Sequence, residues 1–453
     1  MTNSVQEVHR LGQSIWYDNT RRGLIKSGEM QSLIDLGVTG VTSNPTIFEK
    51  AIAGSNDYDD ALGALAGDNQ RTQEIFETLA IEDIQATADL LRPVYDRTAG
   101  FDGYASLEVS PKLAQDTEGT IKEAKHLFAA LDRPNVMIKV PATAAGAAAI
   151  RALIGQGINV NVTLIFSLDA YRTVADAYIG GLEDLAESGG DISRVASVAS
   201  FFVSRVDTAV DALLEEGIRG GRDGLKGLLG KAAVANAKLA YRDFKEMFAD
   251  SRFSSLRDMG ARVQRPLWAS TGTKDPAYSD VLYLESLVGP GTVNTVPPAT
   301  LTAFLGHGRA APTLDQGLGQ AERVIKALAA AGISMEQVTA KLLADGLERF
   351  AGSFKKLMAN IEEKKARLLA QEYEHPGINL GDYLPSVESA LEDLQREDVI
   401  TRIWRGDHTV WKPDPTEIIN RLGWLTITDV MGEQVAALEA LVREVREAGI
   451  RNV

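Results

Sequence analysis

The chain has no cysteine. That absence removes disulfides, thiolate nucleophiles and cysteine-based metal sites. It agrees with a reducing cytoplasm, although cysteine-free secreted proteins exist. Long hydrophobic runs are also missing, and no stretch approaches the length of a membrane-spanning helix. The start, Met1-Thr2-Asn3-Ser4, lacks a basic segment leading into an apolar one, so the expectation is a soluble, cytosolic protein. Positive charge is in deficit: 47 Lys and Arg against 62 Asp and Glu give a formal net charge of −15. Nucleic-acid backbones and anionic membrane surfaces would be repelled by such a chain. A small anionic substrate remains possible where cations are placed locally.

What is present reads as an ordinary globular protein, 45% hydrophobic and 24% charged. At 453 residues it exceeds what one core usually supports, so one large domain and one smaller unit are expected. Short apolar runs alternate with helical patterns, the signature of a parallel sheet wound with helices. Strands are predicted over 14–18, 38–44, 103–110, 136–142, 159–166, 196–203, 266–271 and 292–296, the number that closes a TIM barrel. Helical spacing is found over 117–131, 144–154, 169–185, 204–214 and 225–248, with long helical material from 315 to about 369. The fold class read from this is α/β, a TIM (β/α)8 barrel with extra helices, followed by a mostly helical C-terminal extension. Composition shifts at Tyr373-Glu374-His375-Pro376-Gly377, which reads as a linker. Beyond it, 387–397 and 429–448 have amphipathic helical spacing, and residues 449–453 read as a helix stop leading into a strand.

Within the run Asn135-Val136-Met137-Ile138-Lys139-Val140-Pro141-Ala142-Thr143, a lysine sits in what otherwise reads as a buried parallel strand. Period-2 alternation puts Met137, Lys139 and Pro141 on one face, and in a barrel Lys139 would point inward near the C-terminal end of its strand. Burial, or a cation beside it, disfavours the ammonium form and leaves free amine to attack a carbonyl and form a Schiff base. The bland alternative is a lysine that snorkels into solvent.

The same parity places Ser106, Glu108 and Ser110 together on the third strand, and Asn159, Asn161 and Thr163 together on the fifth. Polar groups on the inner face near strand ends suit a catalytic mouth, whereas a structural barrel interior favours branched apolar side chains. A half-exposed antiparallel strand would alternate in the same way. Asp18 closes the first strand, where it could move protons or cap a helix. Asn44 precedes Pro45, a common first helical residue, so it too reads as a cap. Ser200 through Arg205 and Ser270 through Lys274 end two strands with hydroxyls and a cation. Either could cradle a phosphate or lie in a solvated loop.

Taken in order, Ile15-Trp16-Tyr17-Asp18, Thr42-Ser43-Asn44-Pro45, Ser106-Leu107-Glu108-Val109-Ser110, Ile138-Lys139-Val140-Pro141-Ala142-Thr143, the segment from Gly157 to Ser167 and that from Ala199 to Arg205 closely resemble the transaldolase family over roughly residues 1–370. The resemblance implies a Schiff-base lysine at Lys139, a proton-transferring carboxylate at Asp18, and Glu108 and Thr163 holding a catalytic water. It implies sugar-hydroxyl ligands at Asn44, Asn161 and Ser200, and a phosphate ligand at Arg205. Lys274, after Ser270, is the candidate for a second basic residue; commoner transaldolases carry an arginine closer to the serine. The implied substrates are sugar phosphates, with no cofactor, no metal, no nucleic-acid partner and no membrane. A related aldolase on the same barrel carries glutamine where Glu108 stands and tyrosine where Phe202 stands, so Phe202 favours transfer over cleavage. The sequence does not give the oligomeric state.

In the tail, Trp404-Arg405-Gly406-Asp407-His408-Thr409-Val410-Trp411-Lys412-Pro413 and Asn420-Arg421-Leu422-Gly423-Trp424-Leu425 resemble the lead-in to the isomerase half of bifunctional transaldolase/glucose-6-phosphate isomerase proteins. On that resemblance, residues 371–453 are a linker and an N-terminal fragment of an isomerase-like domain whose remainder is absent, so no isomerase activity is expected. A docking role for this tail is the alternative. Its tryptophans are expected to form a structural core.

Overall fold

The computed structural model describes residues 3–67, 70–373, 381–427, 431, 434–435, 440 and 442. The chain divides into two compact units, Met1–Ala370 and Gln371–Val453.

The first unit is a closed barrel of eight parallel strands in sequence order: β1 (Gln13–Tyr17), β2 (Gly40–Thr42), β3 (Tyr104–Glu108), β4 (Val136–Pro141), β5 (Val160–Ile165), β6 (Ser197–Phe202), β7 (Arg265–Ala269) and β8 (Thr292–Val296). Their register puts Glu108, Lys139 and Asn161 side by side across β3, β4 and β5. Most strands read as continuous buried runs because one side meets the barrel interior and the other meets helices. The outer helices that bear on the site are α1 (Pro45–Ala53), α2 (Thr72–Arg97), α3 (Thr117–Leu131), α4 (Ala144–Ile154), α5 (Leu168–Glu187), α6 (Ser204–Arg219), α7 (Ala232–Ala249), α8 (Leu318–Ala330) and α9 (Met335–Tyr373). Hydroxyl residues that end strands start the next helix. Thr143 Oγ1 accepts from Gly146 N at 2.9 Å, and Ser167 Oγ accepts from Ala170 N at 3.0 Å.

Several boundaries differ from the sequence reading. The second strand keeps only Gly40–Thr42, because the next residues turn into α1. The seventh ends at Ala269, where Ser270 takes a left-handed backbone with φ 55°. The helix expected over 225–248 is broken: a 3-10 segment, Asp223–Leu228, is followed by a turn at Gly230, and only then does α7 begin. The long helical stretch after β8 is likewise two helices, separated by a turn around Gly332.

The N-terminal end of the barrel is plugged by a ring and a paired charge. Trp16 is fully buried, and Gly40 lies opposite it in register; a Cβ on Gly40 would stand 2.5 Å from the indole, so only glycine fits there. The indole Nε1 donates to Asp102 at 2.7 Å. Arg265 forms an ion pair with the same carboxylate at 3.5 Å and donates to Ser14 Oγ at 2.8 Å. No helix among the described residues is long and apolar enough to cross a membrane.

In the second unit, α10 (Leu384–Arg396) and a short helix, Val399–Trp404, precede 3-10 turns. Trp404 and Trp424 meet edge to face with centroids 5.9 Å apart, yet both are exposed, as is Trp411. This corrects the expected tryptophan core. None of the described residues here is buried, because a few short helices supply too little cover. The helix expected over 429–448 lies largely outside the described residues, and the strand expected near 450 lies wholly outside them.

Candidate active site

At the C-terminal end of the barrel, Lys139 leaves β4 pointing inward and is only 5% exposed. Its Nζ donates to the Ser43 carbonyl at 2.9 Å, and its ion partner is Glu108 Oε2 at 3.5 Å. The charged neighbour is thus a carboxylate, not the cation weighed from the sequence. A buried carboxylate beside an amine that must shed a proton before attacking a carbonyl is a proton acceptor in place.

Burial raises the Glu108 carboxyl above its ordinary range and Asp18 adds to the rise, with Lys139 opposing. Its Oε2 takes no hydrogen bond from the described residues. The Thr163 hydroxyl, on the parity of Asn161, is likewise buried without a partner. Such atoms in a native interior call for a functional account, because leaving a buried polar group unpaired costs about 1–3 kcal/mol. A bulge in β5 follows directly, and Leu164 takes φ 59°, a conformation costly for a non-glycine residue.

Asp18 follows β1 and does not cap a helix; the next helix starts at Arg22. Instead, Asp18 Oδ1 accepts from Thr42 Oγ1 at 2.8 Å, and Thr42 in turn lies 2.6 Å from Thr295 Oγ1. Burial raises the Asp18 carboxyl above its usual range, opposed by Lys139, Thr42, Lys274 and Arg205 in that order. It is a carboxyl poised to hold or release a proton nearer neutrality.

The remaining residues form a rim. Asn161 Nδ2 donates to Ser106 Oγ at 3.1 Å, and Ser200 Oγ donates to Asn161 Oδ1 at 2.7 Å, a chain of hydroxyl and amide groups across β3, β5 and β6. Asn44 does cap α1, its Oδ1 accepting from Ile47 N at 3.0 Å, while its amide nitrogen has no partner among the described residues. Phe202 packs on Phe166, with centroids 5.2 Å apart, and Arg205 lies over its ring at 5.3 Å. Arg205 is disfavoured as a cation first by burial and then by Arg349, with Asp18 opposing. Ser270 Oγ stands 3.0 Å from Ser204 Oγ at the start of α6. Lys274 is exposed on the loop after β7 and reaches the site through its charge on Asp18.

Several contributors carry no individual signal in the sequence: the Ser43 carbonyl, Thr42, Thr295 and Arg349. Thr42 and Ser43 lie inside the Thr42-Ser43-Asn44-Pro45 motif. Thr295 and Arg349 give no local signal, since barrel closure and a helix following the last strand bring them in.

A profile of the transaldolase/fructose-6-phosphate aldolase family matches residues 15–361. Among similar curated proteins, a transaldolase of Trichodesmium erythraeum is 44% identical over 376 residues, covering 81% of this chain and 99% of that protein. A transaldolase of Saccharopolyspora erythraea is 47% identical over 368 residues, 80% of this chain and 98% of that protein. Transaldolase 1 of Streptomyces avermitilis is 49% identical over 355 residues, 77% and 93% respectively. With the family profile spanning most of the barrel unit and relatives matched almost end to end, the chain belongs to the transaldolase/fructose-6-phosphate aldolase family.

Proposed function

We propose that the chain is a transaldolase that moves a dihydroxyacetone unit from a ketose phosphate, fructose 6-phosphate or sedoheptulose 7-phosphate, to an aldose phosphate, erythrose 4-phosphate or glyceraldehyde 3-phosphate. The observation that carries this reading is the buried Lys139 amine held between the Ser43 carbonyl and Glu108, in a mouth that also contains Asp18.

In this account the Lys139 amine attacks the C2 carbonyl of the donor. Glu108 and Thr163, through a water, move the protons as the carbinolamine forms and loses water to give an iminium. Asp18 then takes the proton of the C4 hydroxyl. The C3–C4 bond breaks with its electrons flowing to the iminium, which leaves an enamine on Lys139 and releases an aldose phosphate. The enamine adds to the aldehyde of the acceptor, Asp18 returns the proton to the new hydroxyl, and hydrolysis frees the amine. These steps use the amine, two carboxyls, a hydroxyl and water. Asn44, Asn161 and Ser200 hold sugar hydroxyls, and Arg205, with Ser270 and Lys274 nearby, supplies positive field for the phosphate.

Phe202 supports transfer over net cleavage: its ring packs between Phe166 and Arg205 and offers no hydroxyl to orient a water that would protonate the enamine to the iminium, the step that precedes hydrolytic release of free dihydroxyacetone. The test is acceptor dependence. Fructose 6-phosphate with erythrose 4-phosphate is expected to give sedoheptulose 7-phosphate and glyceraldehyde 3-phosphate, with little free dihydroxyacetone when the acceptor is withheld. Full-rate release of dihydroxyacetone without acceptor would assign the aldolase reaction instead.

For residues 371–453 we infer a role outside this chemistry, in line with their likeness to the start of an isomerase half. Deleting residues 376–453 is expected to leave turnover essentially unchanged, because every residue assigned to the reaction lies in the barrel unit. Loss of turnover from a barrel that still folds would reject that.

A further inference from the structure

Apart from the mouth, the barrel unit carries a cavity of about 460 Å³ lined by the end of β5 and by α5, α7, α8 and α9. Its size falls within the roughly 300–1,000 Å³ of small-molecule sites. None of the residues assigned to the reaction lines it. The wall is mostly apolar and includes Leu239 of α7, Ile325 of α8 and Leu343 of α9, together with Leu164 and Phe166. An apolar body that covers these side chains removes them from water.

Two polar groups of the lining are left open. Asn236 is only 4% exposed and donates through Nδ2 to the Phe166 carbonyl at 2.8 Å, while its Oδ1 accepts nothing from the described residues. A buried amide oxygen in this state calls for a donor. Glu336, in the first turn of α9, has a carboxylate with no ion pair or hydrogen bond among the described residues. Arg172, the only cation in the described lining, is already committed: Nη1 donates to Asp169 at 2.9 Å, and Nη2 pairs with Asp243 at 2.7 Å. The open positions therefore suit a donor and a positive charge.

The cavity also touches the supports of the catalytic mouth. Leu164 directly follows Thr163 with φ 59°, and a Cβ added to Gly346 of α9 would stand 3.1 Å from Leu164 Cδ2 and 3.8 Å from Arg205 Nη1. Phe166 packs on Phe202. Close-packed side chains pass a displacement to their neighbours.

We propose that this cavity is a second ligand site, for a small molecule with an apolar or aromatic body and a protonated amine, and that its occupancy changes turnover without competing for the sugar. The ammonium supplies the donor that Asn236 Oδ1 lacks and sits in the field of Glu336. An anion of the same shape gains neither.

The probe is N,N-dimethyl-2-phenylethylamine, a tertiary amine that cannot form an imine with the sugars, and phenylacetate is its anionic counterpart. In calorimetric titration of the unaltered full chain, the amine is expected to bind at least about 10-fold more tightly than the acid, the scale of a hydrogen bond to a charged group. Leu343→Trp, which fills the cavity, should abolish binding. Glu336→Gln, an exposed change that leaves the fold alone, should weaken it about 2- to 5-fold, the scale of an exposed ion pair. With fructose 6-phosphate and erythrose 4-phosphate, saturating amine should change kcat by about 5-fold, the low end of coupling between sites. The sugar KM should stay the same, and Leu343→Trp should remove the effect. This kinetic arm rests on the transaldolase reading. If the unaltered chain turns over no fructose 6-phosphate, that reading fails, while the titrations still decide the site. No binding of the amine, equal binding of amine and acid, full affinity in both variants, or displacement of the amine by fructose 6-phosphate would each overturn the site. Binding that leaves kcat unchanged would overturn its link to the mouth.

Discussion

The two ends of this barrel hold charge in opposite ways. At the N-terminal end the Arg265 guanidinium faces the Asp102 carboxylate, which also accepts from the Trp16 indole, and Ser14 takes a further guanidinium hydrogen. At the C-terminal end, Glu108 Oε2 and the Thr163 hydroxyl have no hydrogen bonds among the described residues, Arg205 feels a like charge from Arg349, and both carboxyls are raised by burial. Both ends are buried, so burial does not separate them. The difference lies in the charges: at the N-terminal end a guanidinium and a carboxylate match each other within the protein, whereas at the mouth ionisable groups are left partly unmatched, which is what the proposed binding of an anionic substrate requires.

The largest expected break in this comparison is Lys139→Met. It should lower kcat by roughly 10⁶-fold, the scale of losing a covalent nucleophile. Circular dichroism should show the same fold, because the apolar stem fills the same space.

The sharpest contrast comes from one chemical change made at each end. Asp18→Asn should lower kcat by about 10²–10⁴-fold, as for loss of a general acid–base group, and at neutral pH it should raise the melting temperature. The sign follows from the raised carboxyl. In the unfolded chain Asp18 ionises in its ordinary range, and in the fold it does so higher, so between those values the native state holds an extra proton. Stability therefore falls as pH rises through that window, and the deficit is complete above it. The gain from asparagine should vanish below the ordinary carboxylate range. Asp102→Asn should do the reverse. It strands the buried Arg265 charge and costs about 3–5 kcal/mol of stability, read as a shift in urea midpoint, while turnover per folded molecule is kept. If the two changes gave the same signature, the contrast between the ends would fail.

Gly40→Ala is the smallest of these effects. A methyl pressed against the Trp16 ring should cost about 1–3 kcal/mol through overpacking, with KM unaltered because the clash lies at the closed end.

Much of this was legible in the sequence where the information is periodic. The alternation of Ser106 with Glu108, of Asn161 with Thr163, and the placement of Lys139 among branched residues give strand faces directly. A barrel then turns faces into an interior. What could not be read is what alternation does not encode. Asp18 reads equally as a helix cap until Thr42 is seen beside it. Asn44 is a cap, and the sugar-binding role proposed for it rests on an amide nitrogen with no partner among the described residues. The left-handed backbone at Leu164 and Ser270 carries no glycine to announce it. Arg349 stands 144 positions beyond Arg205 in the chain (349 − 205), and only the run of α9 across the mouth joins them.

The most direct test of the account is reduction with borohydride in the presence of fructose 6-phosphate, followed by peptide mass mapping. The account predicts a single reduced adduct on Lys139, formed only when sugar is present. An adduct on any other lysine, or none while turnover proceeds, would contradict it.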